Sequence, residues 1–414
     1  MYCQYTDKAF YISCQLTDKM EELIYSQNPW WEWENWETRD RDLRKYNESR
    51  VKWRPSWIDK ISLEPFSMNI VMGPRQVGKT TGVKLLISEL LKGRSSESIF
   101  YFSCDLASDA KELRNVLNFY RRFKERNGVK SSVIFLDEVT GLEGWWRIVK
   151  GYVDLGLLER DVLVLLGSAS FRFKGFSEAF PGRRGMGRTV EVLPLSFPEY
   201  AKVRGVELRI SEYSRILSTF DEYLETGGFP RSINGDERFS EDLIASIEMD
   251  SVKAGRNPKL LRLIAKSIIE KAPSAISFNS IAGDLGISHN TVHDYVRLME
   301  DMFLLGVAYL KEDGKILYRR EKKIFIRDPF LAISLSKLLG ADLSRAALLE
   351  WVVQEHVLRE FGEVYFWRNG LEVDVISGKL KVEVKAGKPH RRYPRDVTVL
   401  SEEDIPAFLL NLRR

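Results

Sequence analysis

Residues 68–81 read MNIVMGPRQVGKTT, and the rest of the fold can be worked out from this stretch. The apolar run 68–72 predicts a short strand, and the apolar spacing after Lys79 predicts a helix. Between them, GPRQVGKTT matches the pattern G-x-x-x-x-G-K-[ST] in its required strand–loop–helix setting. The glycines let the loop turn its N–H groups, and the start of the helix, toward phosphates. We therefore predict a phosphate site made of Gly73, Pro74, Arg75, Gln76, Val77, Gly78, Lys79, Thr80 and Thr81.

Further apolar runs alternate with helical patterns on both sides of this stretch. Residues 133–136 and 162–166 are apolar throughout, which is typical of strands that are buried on both faces of a parallel sheet. Amphipathic patterns at 79–91 and 111–126 predict helices between the strands. The sequence thus predicts an α/β fold in which helices cover a parallel sheet.

Two carboxylates end the strand in VIFLDE at 133–138. Asp137, together with Thr80, is predicted to hold Mg²⁺, and Glu138 to polarise the attacking water. The alternative is an Asp-Glu pair that only caps the end of a strand. Because parallel strands end at one edge of their sheet, the phosphate loop upstream favours the first interpretation.

Polar residues and arginines follow the next apolar strand. Ser168 in GSAS is the candidate for a side chain near the γ-phosphate, with Ser170 as the alternative, and a simple loop start also explains them. Arg183 lies in PGRRGMGR, with Arg184 and Arg188 close by. An arginine of this loop that reaches a neighbouring subunit would stabilise charge on the γ-phosphate, whereas a solvated basic loop is the alternative.

Composition limits the class of protein. Of 414 residues, 44% are hydrophobic and 29% are charged, which indicates a folded chain. No apolar run reaches the roughly 18–20 residues of a membrane span, so we expect no membrane partner. The three cysteines have no metal-ligand spacing, and the start of the chain lacks a secretory pattern, so we expect a cytoplasmic protein. A net charge of +4 does not by itself argue for nucleic acid.

Six motifs together resemble a known family. The chain carries, in order, GPRQVGKTT, IFLDEVTGLEGWWRIVK, LLGSAS, PGRRGMGR, VLPLSFPEY and GGFP. This order resembles prokaryotic and archaeal AAA+ type P-loop ATPases with a C-terminal winged helix and a restriction-endonuclease-like, PD-(D/E)xK, domain. The resemblance implies ATP and Mg²⁺ as cofactors, a homo-oligomer, Arg183 as an arginine finger and Pro230 on the adenine. From the residues alone, GGFP is only a turn between helices.

Residues 275–305 have the pattern of a helix-turn-helix. Gly286 ends a short helix and Ser288 caps a second one, as this layout requires. The strands that follow resemble a wing, and the basic residues in them are candidates for contact with DNA phosphate. The alternative is that this segment packs against its own neighbours and binds no DNA. The candidate wing residues are Arg319, Arg320, Lys322 and Lys323.

The segment EVDVISGKLKVEVKAG predicts a hairpin with carboxylates on one face. A two-residue turn pairs 377 with 380, 375 with 382 and 374 with 383, which sets Asp374 opposite Glu383. A divalent metal would offset their repulsion, with Lys385 orienting a metal-bound water. By the family resemblance, Glu350 of the preceding helix completes the site, and Glu355 is the less favoured choice. A solvated polar hairpin, or a nuclease-shaped domain that binds DNA without cutting it, are the alternatives.

These patterns divide the chain into five parts and suggest its activity. We expect a Trp-rich arm (1–55), an ATPase core (56–195), a helical lid (196–257), a winged helix (258–338) and a nuclease-like domain (339–414). The tryptophans of the arm are typical of anchors that pin it to a domain; a platform that stacks bases is the alternative. The expected function is a Mg²⁺-dependent ATPase that acts on DNA. The alternative is a STAND-like regulatory switch that engages a protein partner.

Overall fold

The computed structural model describes residues 19–168, 180–206, 212–387 and 392–413. These residues form two compact units. The first unit holds the chain up to Gly73 together with Gly78–Val192, and the second holds Pro74–Val77 together with the chain from Leu193 onward. In the described part of the chain, no helix combines the length and the apolar composition needed to cross a membrane.

A five-stranded sheet forms the centre of the first unit. Its order is β2-β3-β4-β1-β5, and every neighbouring pair is parallel. The predicted α/β architecture with a parallel sheet is therefore confirmed. β3 and β4 are buried along their whole length, which explains their uninterrupted apolar sequence. The strands are β1 (Ser67–Met72), β2 (Ile99–Ser103), β3 (Val133–Asp137), β4 (Val162–Gly167) and β5 (Thr189–Glu191).

Several α-helices accompany this sheet in the part of the chain that the structure describes. The longest begins where the side chain of Asp109 accepts a hydrogen bond from the amide of Glu112, and it buries Leu113, Val116 and Tyr120 in the same core as strands β2 and β3. Helical periodicity in the sequence thus located the helix that covers the sheet. The helices are α1 (Arg41–Glu48), α2 (Lys79–Leu90), α3 (Ala110–Arg126) and α4 (Trp145–Asp154).

The described part of the N-terminal arm is fixed to the first unit by tryptophans. Trp30 and Trp36 are 5% and 3% exposed and lie edge to face, 5.0 Å between ring centroids. The indole N–H of Trp30 donates to the carbonyl of Ile99 at 3.0 Å, and Trp31 stacks on Phe123 at 4.2 Å. Because these rings are occupied inside the protein, they serve as anchors rather than as an open surface for bases.

The second unit contains helices and a mixed sheet. Its longest helix, α13, is buried on nearly all sides between Ala347 and Val357. The helices are α5 (Phe197–Val203), α6 (Tyr213–Thr226), α7 (Pro230–Ile233), α8 (Phe239–Lys253), α9 (Pro258–Lys271), α10 (Phe278–Leu285), α11 (His289–Asp301), α12 (Pro329–Leu339), α13 (Arg345–Phe361) and α14 (Asp404–Asn411).

A seven-stranded sheet joins two segments that the sequence predicted to be separate. The order is β12-β11-β10-β9-β6-β7, and β8 pairs with β6. β6 runs parallel to β9, with Tyr309 opposite Tyr365. The strands after the helix-turn-helix pattern therefore continue into the sheet of the C-terminal hairpin. The strands are β6 (Leu305–Glu312), β7 (Lys315–Ile316), β8 (Lys322–Ile326), β9 (Tyr365–Asn369), β10 (Leu371–Ser377), β11 (Leu380–Lys385) and β12 (Thr398–Ser401).

Candidate functional site

The loop after β1 has the tight backbone that its glycines predict. A Cβ on Gly73 would lie 1.9 Å from the carbonyl oxygen of Val192, so no larger residue fits there. Gln76 and Gly78 have positive φ angles of 60° and 92°, which curl the loop ahead of α2. The ammonium of Lys79 is 3.0 Å from the carbonyl of Gly73. Lys79 is 5% exposed, so its charge is directed into the loop.

Thr80 and Asp137 meet at the carboxyl edge of the parallel sheet. The hydroxyl of Thr80 donates to Oδ2 of Asp137 at 2.6 Å. Asp137 ends β3 and is 2% exposed. The two residues predicted to hold Mg²⁺ are thus in direct contact, although they are 57 positions apart in the chain.

Tyr101 also touches this carboxylate, and sequence analysis missed it. Its hydroxyl donates to Oδ2 of Asp137 at 2.9 Å from the neighbouring strand β2. Burial, and next the charge of Asp137, raise the pKa of Tyr101 well above its usual value, so its proton stays on the oxygen. In a parallel sheet the register of β2 and β3 determines this contact, since Tyr101 lies two residues before the position opposite Asp137. The apolar run IFYFS contains one polar aromatic, and that was the available signal.

A buried lysine links the N-terminal arm to the same region. Lys84 of α2 is 4% exposed, and its ammonium lies 3.9 Å from the ring centroid of Tyr101. Asp40, which caps α1, faces this ammonium at 3.4 Å. Burial lowers the pKa of Lys84, and Asp40 opposes that shift. The arm thus supplies a carboxylate that opposes the effect of burial on Lys84, behind Tyr101.

Glu138 follows Asp137 in an unusual backbone conformation. Its φ is +50°, a left-handed value that few residues with a side chain adopt. Its backbone N–H donates to Oδ1 of Asp137 at 3.0 Å, which fixes that carboxylate from the other side. The side chain of Glu138 is half-buried.

The remaining candidates from the first unit have different surroundings. Ser168 is 6% exposed and follows β4, which lies between β1 and β3, so it is at the same edge of the sheet as the loop and Asp137. Ser170 lies outside the described residues. Arg183 forms an ion pair with Asp154 at 2.5 Å and is 37% exposed. Its loop continues along β1, where Met68 and Ile70 donate to backbone carbonyls of residues 184 and 188.

Comparison with protein families identifies this part of the chain. Residues 65–201 match the model of an AAA domain. The family resemblance inferred from the motifs is thereby confirmed for the AAA segment. Residues 217–342 match a second model, described as a domain of unknown function (DUF8612). A comparison with curated protein sequences finds no significant match.

Several solved structures are similar to the chain. ORC2 of Aeropyrum pernix, in ADPNP-ADP complexes, has 11% identity and a TM-score of 0.40 over 66% of this chain and 87% of that one. ORC1 of Aeropyrum pernix, in complex with DNA, has 12% identity and a TM-score of 0.32 over 66% and 86%. AMPPCP-bound DnaA from Aquifex aeolicus has 20% identity and a TM-score of 0.28 over 57% and 82%.

Four residues of the phosphate loop belong to the second unit and are held there. The guanidinium of Arg75 pairs with both oxygens of Asp250 at 2.7 and 2.8 Å. Gln76 accepts from Arg231 at 2.5 Å. Arg231 directly follows GGFP and was missed, because sequence analysis considered only the proline of that motif. It also pairs with two nearby carboxylates, at Asp236 and Asp242.

Gly228 of the GGFP motif packs closely against Leu195 and Asp328 of its own unit. The N–H of Gly228 donates to Oδ2 of Asp328 at 2.8 Å, and its carbonyl accepts from Leu195 at 2.8 Å. A Cβ on Gly228 would lie 2.1 Å from the Leu195 carbonyl oxygen, so this contact alone requires glycine. Pro230 starts α7 and is half-buried; its contact with adenine stays a prediction.

The helix-turn-helix pattern folds into the two expected helices. Gly286 ends α10 with a φ of 64°, and the hydroxyl of Ser288 accepts from Thr291 at 3.0 Å at the start of α11. Four polar side chains of α11 are exposed on the face away from its buried valines: His289, Asn290, His293 and Arg297.

The four candidate wing residues divide into an exposed pair and a buried pair. Arg319 and Arg320 are exposed, and their contact with DNA stays a prediction. For Lys322 and Lys323 the prediction of phosphate contact is wrong, because they are 3% and 2% exposed. The ammonium of Lys322 lies 4.0 Å from the ring centroid of Phe278. The strand β8 is buried on both faces. Its two lysines made it resemble an exposed strand in the sequence.

The C-terminal hairpin pairs as predicted at two of the three predicted positions, and its carboxylate face is not the solvated one that the sequence left as an alternative. Val375 pairs with Val382 and Ser377 with Leu380. Asp374 and Glu383 are 5% and 2% exposed, so the face that carries them is buried and is not a solvated one. Lys385 pairs with Glu383. α13 packs on β10 and β11 and closes that face.

Of the two helix glutamates, only Glu350 lies near the hairpin carboxylates. Glu355 instead pairs with Arg327 at 2.8 Å and Arg359 at 2.6 Å. Glu350 and Asp374 both contact the ammonium of Lys323, at 2.8 and 2.6 Å. Burial raises the pKa of Glu350 to about 8, although Lys323 opposes that shift. Within the described residues, no group of three or more His, Cys, Asp and Glu side chains is arranged to hold a metal ion.

Proposed function

We propose that the chain is a Mg²⁺-dependent ATPase whose turnover responds to DNA. The observation that carries the ATPase part is the 2.6 Å contact between Thr80 and Asp137 beside a complete phosphate loop. A hydroxyl and a carboxylate that converge in this way are oxygen ligands of the kind that Mg²⁺ prefers. The residues present therefore fit the metal.

Each group has a separate task in this proposal. The loop amides and Lys79 bind the β- and γ-phosphates, while Thr80 and Asp137 hold the metal directly or through water. When bound, Mg²⁺ neutralises charge on the phosphate oxygens. Glu138 orients the attacking water and accepts its proton. The donors from Tyr101 and from the amide of Glu138 hold the carboxylate of Asp137 in its orientation.

The variant Glu138→Gln tests the ATPase part. It should bind ATP as the unaltered protein does and lose nearly all turnover, since an amide cannot accept the proton of the water. Glu143→Gln is the matched control, because Glu143 is an exposed glutamate a few residues downstream. Undiminished hydrolysis in Glu138→Gln, measured as phosphate release, would reject the assignment.

Exposed polar residues on α11, with Arg319 and Arg320, support the DNA part. A capped second helix with a polar outer face and a nearby pair of arginines is suited to a groove and its phosphates. The proposal expects the ATPase rate to change when duplex, branched or single-stranded DNA is added. Slow turnover that is indifferent to all three would reject the DNA part, leave the ATPase part intact and favour a regulatory switch that engages a protein.

A further inference from the structure

Lys323 occupies the centre of a buried carboxylate cluster. Its ammonium lies 2.8 Å from Glu350, 2.8 Å from Glu372 and 2.6 Å from Asp374. The side chain of Lys323 is 3% exposed, and those of Glu350 and Asp374 are 6% and 7% exposed. An ammonium has three N–H donors, so one donor is available for each carboxylate.

The other oxygen of Asp374 has a donor of its own, and Oε1 of Glu350, which Lys323 contacts, has a second one. The second oxygen of Asp374 accepts from the amide of Val384 at 3.0 Å. Glu350 accepts a further hydrogen bond from the side-chain amide of Gln354 at 2.9 Å. A buried carboxylate needs such partners, and for Asp374 the chain provides them on both oxygens without any added ion.

Glu383, the other hairpin carboxylate, is directed to a different set of donors. It accepts from the hydroxyl of Tyr393 at 2.8 Å and from the ammonium of Lys385. Its second oxygen accepts from the backbone N–H of Asp374 at 3.3 Å. Asp374 and Glu383 therefore each have a lysine, and they do not converge on a shared point.

We propose that Lys323 takes the place of a divalent cation in this cluster and that the C-terminal hairpin therefore binds no metal and cleaves no phosphodiester bond. The repulsion between carboxylates that would call for Mg²⁺ or Mn²⁺ is offset by an ammonium that belongs to the chain. Lys323 also ties β8 to β10 and α13, while its neighbour Lys322 on the opposite face of β8 covers Phe278 of α10. The cluster thus fixes the strand that supports the helix-turn-helix segment. This inference does not depend on the proposed ATPase.

Binding of Mn²⁺ to the full chain gives the first test. The measurements use Asp137→Asn as background, so that the nucleotide site contributes no metal. We expect the Mn²⁺ isotherm, by electron paramagnetic resonance of the unbound ion, to be the same with and without the further change Asp374→Asn. An equivalent of Mn²⁺ that disappears with Asp374→Asn would overturn the proposal, as would Mn²⁺-dependent plasmid cleavage that Asp374→Asn abolishes.

Removal of the lysine gives the second test. Lys323→Ala should lower the thermal midpoint by roughly 5–10 °C in metal-free buffer, because it leaves buried carboxylates without a cation. Millimolar Mn²⁺ should restore much of this loss in the variant and leave the unaltered protein unchanged. Lys315→Ala, an exposed lysine of β7, is the control and should change neither value. A thermal midpoint of Lys323→Ala equal to that of the unaltered protein would contradict the proposal. If Lys323→Ala does not fold, the Mn²⁺ isotherms with and without Asp374→Asn still decide it.

Discussion

The hydroxyl of Tyr101 lies 2.9 Å from Oδ2 of Asp137, the oxygen that also accepts from Thr80 at 2.6 Å. One carboxylate oxygen thus receives a donor from α2 and another from β2. The backbone N–H of Glu138 holds the second oxygen at 3.0 Å. Tyr101 in turn lies under the ammonium of Lys84, which Asp40 of the arm faces. A contact with the N-terminal arm is therefore two side chains away from Asp137.

Tyr101→Phe should weaken the dependence of hydrolysis on Mg²⁺. Loss of a hydrogen bond that orients a metal ligand raises the half-saturating Mg²⁺ concentration about tenfold. Stability should fall by about 1–2 kcal/mol, since Asp137 loses one donor in the interior. The control is Tyr120→Phe, which removes the hydroxyl that donates to the Glu97 carbonyl in the same core. It should lose similar stability with no change in Mg²⁺ dependence, and equal Mg²⁺ curves for the two variants would disprove the positioning role.

Arg183→Ala should lower turnover by about 10³-fold and leave ATP binding intact, if Arg183 reaches the γ-phosphate of a neighbouring subunit. Asp154→Asn is the control, because it breaks the ion pair of Arg183 and keeps the arginine. Mixing Arg183→Ala with Glu138→Gln chains should restore part of the activity, since each supplies what the other lacks. No recovery on mixing, or a rate per chain that is independent of protein concentration, would rule out action in trans.

Replacing Arg319 and Arg320 by Gln together should reduce the salt dependence of DNA binding. Two lost phosphate contacts lower the slope of log K against log salt by about two units, equally for unrelated sequences. Arg41→Gln with Arg44→Gln is the matched control, because these are two exposed arginines on α1. The measurement is DNA affinity at several salt concentrations. A slope that the wing double variant leaves unchanged would remove these residues from the interface.

His356 is held as a neutral ring inside the second unit. Its Nε2 accepts from the backbone N–H of Phe197 at 2.8 Å, and Nδ1 lies 2.6 Å from the carbonyl of Val352. Nδ1 therefore carries the proton, since a carbonyl only accepts. Burial, with the charge of Arg359, lowers the pKa of His356 to about 4. Phe197 is the first residue of α5, so this ring connects the PLSF motif to α13.

Acidification should therefore destabilise the protein through His356. The folded pKa is below the ordinary value of 6.5, so this stabilisation is complete above pH 6.5 and is lost as the pH falls toward 4. The loss amounts to about 3 kcal/mol for a fully buried group. Asp328 and Glu350 act oppositely, because burial raises their pKa values to about 6 and about 8. The measurement is the free energy of unfolding by denaturant, taken at several pH values for the unaltered protein and for His356→Gln. If the two plots of this free energy against pH are parallel, His356 does not cause the pH dependence.

Sequence analysis was most successful where local pattern determines structure. The apolar strands, the phosphate loop and the hairpin pairing of 375 with 382 and 377 with 380 depend on residue spacing and turn length. The partners Thr80 and Asp137 could be paired because a parallel sheet brings loop ends to one edge.

The rest depends on contacts between distant segments. Nothing near Lys323 in the sequence indicates that β9 will pair with β6 and bring Glu372 and Asp374 to it. For this reason sequence analysis assigned the buried Lys323 to an exposed basic wing. Tyr101 and Arg231 were missed for the same reason, since their partners lie 36 and 155 positions away.

The parallel pairing of β6 with β9 also bears on the evolution of this chain. Recombination that separated the helix-turn-helix segment from the C-terminal hairpin would leave β6 with an open edge of unpaired N–H and C=O groups. It would also separate Lys323 from its three carboxylates and leave charges uncompensated on both fragments. We therefore expect the stretch from α10 to β12 to be inherited as one unit, and relatives that have only one half to carry a replacement for both the strand and the lysine.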